Sequence, residues 1–123
     1  FLIEYENLFK EIAVYFNRKI TQLHALGVSD IILDPGFGFA KTIPQNYELL
    51  ENFSYFTIFG LPLMAGLSRK SMVYRVLNTD PEQALNGTTV INTLAILKKA
   101  SILRVHDVRE AAEVIQLLKR GKI

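Results

Sequence analysis

Charged side chains stand at the ends of three apolar runs in this sequence, and their types fit the handling of a polar, anionic molecule. Ile31-Ile32-Leu33 leads into Asp34-Pro35-Gly36-Phe37-Gly38-Phe39, and Leu63-Met64-Ala65 leads into Gly66-Leu67-Ser68-Arg69-Lys70-Ser71. Ile102-Leu103 leads into Arg104-Val105-His106-Asp107-Val108. Asp34 and Lys70 are 36 residues apart, and Lys70 and Arg104 are 34 apart. That is close to one strand-plus-helix unit of roughly 30 or more residues. Parallel α/β proteins build active sites at the C-terminal ends of successive strands. The pattern reads as an enzyme's.

Each corner has a chemical reading and a plainer one. Gly36 and Gly38 let the backbone approach a flat ligand, and Phe37 and Phe39 can wall it. Asp34 at the floor of that slot would accept two parallel hydrogen bonds from an amidine- or guanidine-like heterocycle edge. Asp, Pro and Gly are also ordinary turn residues, so Asp34 capping its loop and pairing with a lysine is the alternative. At the second corner Ser68, Arg69, Lys70 and Ser71 open a helix whose amides, with Lys70, would receive an anion or a carbonyl. A solvated basic helix start is the alternative, although basic residues in a first turn oppose the helix dipole.

At the third corner, strand alternation puts Arg104 and His106 on one face and Leu103 and Val105 on the other. With the apolar pair under helices, Arg104 and His106 point into the opposite interior and suit a phosphate group. A buried structural ion pair with a satisfied histidine is the alternative. His24 has no acidic or cysteine partner at ligand spacing and reads as a surface or packing residue. Ser68 and Ser71 lack the elbow motif of serine hydrolases.

The elements that must position these residues follow from periodicity. Tyr5, Leu8, Phe9, Ile12, Phe16, Ile20 and Leu23 predict a helix over 4–26, stopped by Gly27. Asp30 to Leu33 reads as a buried strand, and a helix starting near Pro44 carries Tyr47, Leu50 and Phe53 on one stripe. The aromatic run Phe53, Tyr55, Phe56 and Phe59 reads as core. Leu63 to Gly66 forms the second strand, and Ser68 is placed to cap a short helix through Leu77. Asp80-Pro81 predicts a helix to about Lys99 with Leu85, Thr88, Ile91 and Ala95 facing inward. Gly87 inside it implies a close packing contact. A third strand over 102–106 and a helix capped by Asp107, ending near Lys119, complete an α-βα-βα(α)-βα order.

The 123 residues suit one domain, with half the residues apolar, a fifth charged and a formal charge of +2. Without a basic stripe interleaved with aromatics, nucleic acid is not an expected partner. The tail Lys119-Arg120-Gly121-Lys122 reads as a solvated helix end. There is no cysteine, hence no disulfide framework and no thiolate metal site. No apolar run approaches the about 20 residues that span a bilayer, and no signal peptide is recognisable, so no membrane partner and a cytoplasmic location are expected.

Asp34-Pro35-Gly36-Phe37-Gly38-Phe39-Ala40-Lys41-Thr42, the Gly66-x-Ser68-Arg69-Lys70-Ser71 segment and Arg104-Val105-His106-Asp107-Val108 resemble the last three signature blocks of the dihydropteroate synthase family, in the same order. The resemblance implies the last three strand-helix units of a (β/α)8 TIM barrel, about three parallel strands with flanking helices. It implies condensation of 6-hydroxymethyl-7,8-dihydropterin diphosphate with 4-aminobenzoate to 7,8-dihydropteroate and diphosphate. Asp34 would bind the pterin's ring N–H and exocyclic amine, and Lys70 its carbonyl and ring. Phe39, the stem of Lys70 and Ser71 would border the aminobenzoate. Arg104 and His106 would grip the diphosphate, aided by Mg²⁺ whose ligand is expected outside this chain. The resemblance thereby implies Lys70, Arg104 and His106 as the catalytic set.

Two departures stand out. The family usually has Gly where this chain has Lys99, at a helix-to-strand junction. The chain also opens at Phe1 on a helix, so residues 1–123 are expected to be the C-terminal portion of a longer barrel, inactive alone and prone to self-association. A non-catalytic pterin- or anion-binding module, or a relative of pterin-binding methyltransferases, is the alternative.

Overall fold

A computed structural model of the chain describes residues 5–38 and 41–123, with side chains from Leu8 onward. The first predicted helix forms as α1 (Tyr5–Ala25). Leu8 and Phe16 are buried on its apolar stripe, with Phe9, Ile12 and Ile20 against the same core; the Tyr5 side chain lies outside the described residues. α2 (Ile43–Glu51) starts on a capping box: Thr42 Oγ1 accepts from the Gln45 amide at 3.2 Å, and Gln45 Oε1 from the Thr42 amide at 2.9 Å. The stripe does not continue as helix through Phe53. Asn52 ends α2, and Phe53–Phe59 forms a 3-10 segment that buries Phe53 and Phe56 and leaves Tyr55 exposed.

β1 (Met64–Ala65) and β2 (Ile102–Leu103) pair in parallel, Met64 opposite Ile102 and Ala65 opposite Leu103. On the other side of β1, Leu33 bridges Leu63, also in parallel. All three predicted strands are therefore present and adjacent, but shorter than expected. Asp30 to Leu33 contracts to the bridge at Leu33, and 102–106 contracts to two residues. A ladder records only paired residues, and among the described residues each outer segment has β1 as its one neighbour. Ile32 is accordingly exposed rather than buried.

The long helix expected after Asp80 is divided. Asp80 Oδ1 accepts from the Gln83 amide at 3.0 Å and caps a 3-10 turn, Pro81–Gln83. After the four-residue α3 (Ser71–Tyr74) and this turn, α4 runs from Leu85 to Leu97. Thr88, Ile91, Asn92 and Ala95 are buried on it, while Leu85 is only partly covered. A Cβ at Gly87 would lie 2.6 Å from Val73 Cγ1 and 2.8 Å from Leu77 Cδ1, which is the close contact that glycine implied. Lys99 sits at φ 81, the left-handed region where a side chain is strained and glycine is not. α5 (Val108–Gly121) closes the described fold.

Helices pack in sequence order, α2 on α3, α3 on α4 and α4 on α5. One apolar cluster joins Phe16, Leu33, Leu49, Phe53, Leu63, Ala65, Met72 and Ala95. The strand ends thus emerge together from one core. Among the described residues no helix is long and apolar enough to cross a membrane.

Candidate functional site

The three chemical corners meet at those strand ends. Asp34 Oδ2 lies 3.7 Å from Arg104 Nη2. Lys70 reaches the loop beyond Asp34 and donates from Nζ to the Phe37 carbonyl at 2.6 Å. Its stem passes Gly38, where a Cβ would lie 3.5 Å from Lys70 Cδ. The Arg104 guanidinium crosses over Gly66, where a Cβ would stand 2.2 Å from Nη2. Only glycine leaves that path open.

The Asp34 loop is built from several sides. Asp34 Oδ1 accepts from the Gly36 amide at 2.9 Å, so the turn-capping role holds, and it occupies one of the two oxygens. Gly36 and Gly38 take φ 77 and 92, values that suit glycine. Asn46, buried on α2, accepts from the Gly38 amide at 2.8 Å and donates to the Thr42 carbonyl at 3.0 Å. Lys41 Nζ donates to the Gly36 carbonyl. Phe37 is not a wall of the slot: it is buried and stacks on Phe53 with centroids 5.7 Å apart. Phe39, the other expected wall, lies outside the described residues.

The local charge is positive. Burial lowers the pKa of Lys70, the Arg104 and Lys41 charges lower it further, and Asp34 opposes them. Burial likewise lowers the pKa of Lys41, again against Asp34. Three cations thus share the neighbourhood of one carboxylate. The Arg104 side chain is 55% exposed, not enclosed as its strand position implied, because the face it leaves by is open among the described residues. At 3.7 Å and this exposure the Asp34–Arg104 pair is weak, and a ligand can take either partner at little cost.

Two ties join the second and third corners. Ser68, expected as a helix cap, is buried. Its Oγ lies 2.8 Å from His106 Nδ1 and accepts from the His106 amide at 3.3 Å. The residue at the cap position of α3 is instead Lys70, without a side-chain cap bond, and Ser71 opens that helix. Arg69, at φ 54, grips Asp107 with two bonds of 3.0 Å, Nε to Oδ2 and Nη2 to Oδ1. Its Nη1 also donates to the carbonyls of Pro81 at 2.6 Å and Glu82 at 3.2 Å. Asp107 therefore precedes α5 without capping it by its side chain; the Arg69 hydrogen bond holds its carboxyl below the usual carboxylate range. Arg69 and Lys70 stand at the N-terminal edge of the four-residue α3, and their side chains turn to Asp107 and to the Phe37 carbonyl. His24 is exposed in the last turn of α1.

The structure thus pairs Asp34 with Arg104, ties Lys70 to the Asp34 loop through the Phe37 carbonyl, and ties His106 to Ser68. Sequence reasoning missed Asn46, Lys41 and the Arg69–Asp107 clamp as parts of the site. Lys41 had a signal, since it closes the Asp34 segment; Asn46 had none beyond being polar in an apolar stripe.

A family model described as pterin binding enzyme matches residues 2–106, and the chain belongs to that family. Dihydropteroate synthase from Escherichia coli strain K12 is 38% identical over 118 residues, 94% of this chain and 42% of that protein. The bifunctional dihydropteroate synthase/dihydropteroate reductase of Helicobacter pylori is 38% identical over 94% of this chain and 30% of its own length. The solved Yersinia pestis dihydropteroate synthase superposes with a TM-score of 0.91 at 38% identity, over 97% of this chain and 50% of that one. A Coxiella burnetii dihydropteroate synthase in complex with pteroic acid gives 0.90 at 34% identity, over 97% of this chain and 45% of that one. The fold is that of a parallel α/β barrel segment. The chain spans under half the length of the E. coli protein.

Proposed function

We propose that this chain supplies the final strand-end part of a dihydropteroate synthase site. In the whole protein, 6-hydroxymethyl-7,8-dihydropterin diphosphate and 4-aminobenzoate would give 7,8-dihydropteroate and diphosphate. The observation that carries this is the meeting of Asp34, Lys70 and Arg104 around one loop. A single carboxylate with donors on its far side suits a heterocycle that offers N–H groups on one edge and a carbonyl on another.

Asp34 would take the pterin's ring N–H and exocyclic amine. Lys70 would turn from the Phe37 carbonyl to the pterin carbonyl. Its stem, with Phe39 and Ser71, would border the aminobenzoate ring. Arg104 and His106 would hold the diphosphate. The C–O bond to the pterin methylene breaks with both electrons going to diphosphate, the methylene cation is delocalised over the pterin, and the arylamine nitrogen attacks it and loses a proton. Such chemistry asks for positioning and leaving-group electrostatics, with no protein nucleophile.

Mg²⁺ does not fit the residues at hand. Among the described residues no group of three or more His, Cys, Asp or Glu could hold a metal ion, and the groups nearest the anion position are cations. Its ligands would come from outside residues 1–123. A cytoplasmic location, self-association of the 123 residues and their inactivity alone belong to the same proposal. Ile32, Leu26 and Leu117 are exposed, which supports the association. The test is incorporation of labelled 4-aminobenzoate into dihydropteroate, by the full-length protein and by residues 1–123. Product from the full-length protein alone is expected; none from it would overturn the reading.

A further inference from the structure

We infer that Ser68 is a positioning residue that fixes the tautomer and orientation of His106, so that the imidazole presents an Nε2–H donor to an anion. The inference rests on the anion-site reading above for its consequence, though not for its geometry. Ser68 Oγ accepts from the His106 amide at 3.3 Å and lies 2.8 Å from His106 Nδ1. A hydroxyl has one proton to donate and two lone pairs. Among the described residues Ser68 has no other hydrogen-bond partner, and it is 6% exposed. A buried hydroxyl proton without an acceptor is unfavourable. The arrangement that satisfies every group has the amide donating to Oγ and the Oγ–H donating to Nδ1. Nδ1 is then the acceptor and the ring proton resides on Nε2.

The direction of the ring follows. Ser68 is buried and His106 is exposed, so an Nδ1 turned toward Ser68 leaves Nε2 on the outer side of the ring. Arg104 sits two residues earlier on the same strand end. Two donors from one strand end suit a diphosphate, whose oxygens only accept. The ring nitrogen opposite its partner is fixed by the bond the partner makes. The tie is also local to His106, since the neighbouring cross-link uses Arg69 and Asp107 instead.

Nitrogen-15 spectra of the histidine ring in the full-length protein test this without any ligand. At about pH 8.5, where a free imidazole is neutral, His106 should show a bare Nδ1 and a protonated Nε2. Ser68→Ala should move both resonances toward the averaged values of an untethered ring. Isothermal titration with inorganic diphosphate adds the consequence: Ser68→Ala should weaken binding about three- to tenfold, the size of one neutral hydrogen bond. In a His106→Ala background the same change should have no further effect. A proton found on Nδ1, spectra unmoved by Ser68→Ala, or equal losses in both backgrounds would overturn the assignment. If diphosphate fails to bind even the unaltered protein, the nitrogen spectra still decide the role of Ser68, and that failure counts against the anion-site reading alone.

Discussion

The Asp34 loop and the Arg104 strand end face each other across 3.7 Å, yet they are held in opposite ways. The first is fixed from below: Phe37 is buried against Phe53, Asn46 binds the Gly38 amide, and Lys70 and Lys41 bind carbonyls of the same loop. The second is fixed from the side. After β2, the Arg104 amide continues the ladder to the Ala65 carbonyl at 3.0 Å, and the charged side chains depend on partners from other corners. On the proposed reading the Asp34 loop is a heterocycle pocket, whose shape is set before the ligand arrives because a rigid flat edge rewards preorganised hydrogen bonds. An anion site can stay open and be ordered by the charge it receives.

Lys70 belongs to both sides. In the full-length protein Lys70→Met should lower kcat by about two to three decades, the size seen on removing one transition-state donor. Folding should suffer far less, because Lys70 is charged in a partly buried place beside Arg104 and Lys41. The pH dependence has a definite sign. Lys70 and Lys41 bind their protons less tightly folded than unfolded. Between their lowered values and the ordinary lysine value of about 10.4, the unfolded chain holds more protons, so stability rises with pH there. Denaturant titrations at stepped pH should show this slope, reduced in Lys70→Met; an unchanged slope would remove Lys70 as its source.

Asp34→Asn sharpens the preformed side. Loss of one charge-assisted pair should weaken pterin binding by roughly 1.5–3 kcal/mol, or one to two decades. Calorimetry with a pterin lacking diphosphate reads this directly, and unchanged affinity would leave Asp34 as the loop cap it also is.

Gly66→Ala sharpens the open side with the smallest expected effect. Its Cβ would displace the end of the Arg104 side chain, which is flexible and half exposed, so thermal stability should fall by no more than about 1 kcal/mol. Diphosphate affinity should drop about tenfold, within the range of a displaced charged hydrogen bond, while pterin affinity stays. A large loss of stability would show that Gly66 is a backbone requirement instead.

Much of this was legible in the sequence for local reasons. The Leu8–Phe16 stripe, the Pro44 helix start, the Asp80-Pro81 cap and the tight contact at Gly87 each follow from a side chain and its near neighbours, so residue order alone specified them. The ends of elements were less legible. Phe53 satisfied a helical stripe, yet it is the 3-10 segment after Asn52 that buries it, and Ser68 had every credential of a cap.

That Asp34, Lys70 and Arg104 stand at the ends of three successive parallel strands could be read from residue order alone, since apolar runs, glycine positions and a spacing of about one strand-helix unit are properties of the chain. Which side chains touch was decided only in three dimensions. Ser68 left its helix for His106, 38 residues away, and Asp107 left its helix for Arg69, also 38 residues away. Asn46 was drawn inward to serve the Gly38 amide. Ser68 and Asp107 each took the partner that parallel strands of equal spacing placed beside it, while Asn46 kept its local bond to the Thr42 carbonyl and added the Gly38 amide. Burial decides that choice, because a polar group removed from water takes whichever partner the packed core leaves within reach.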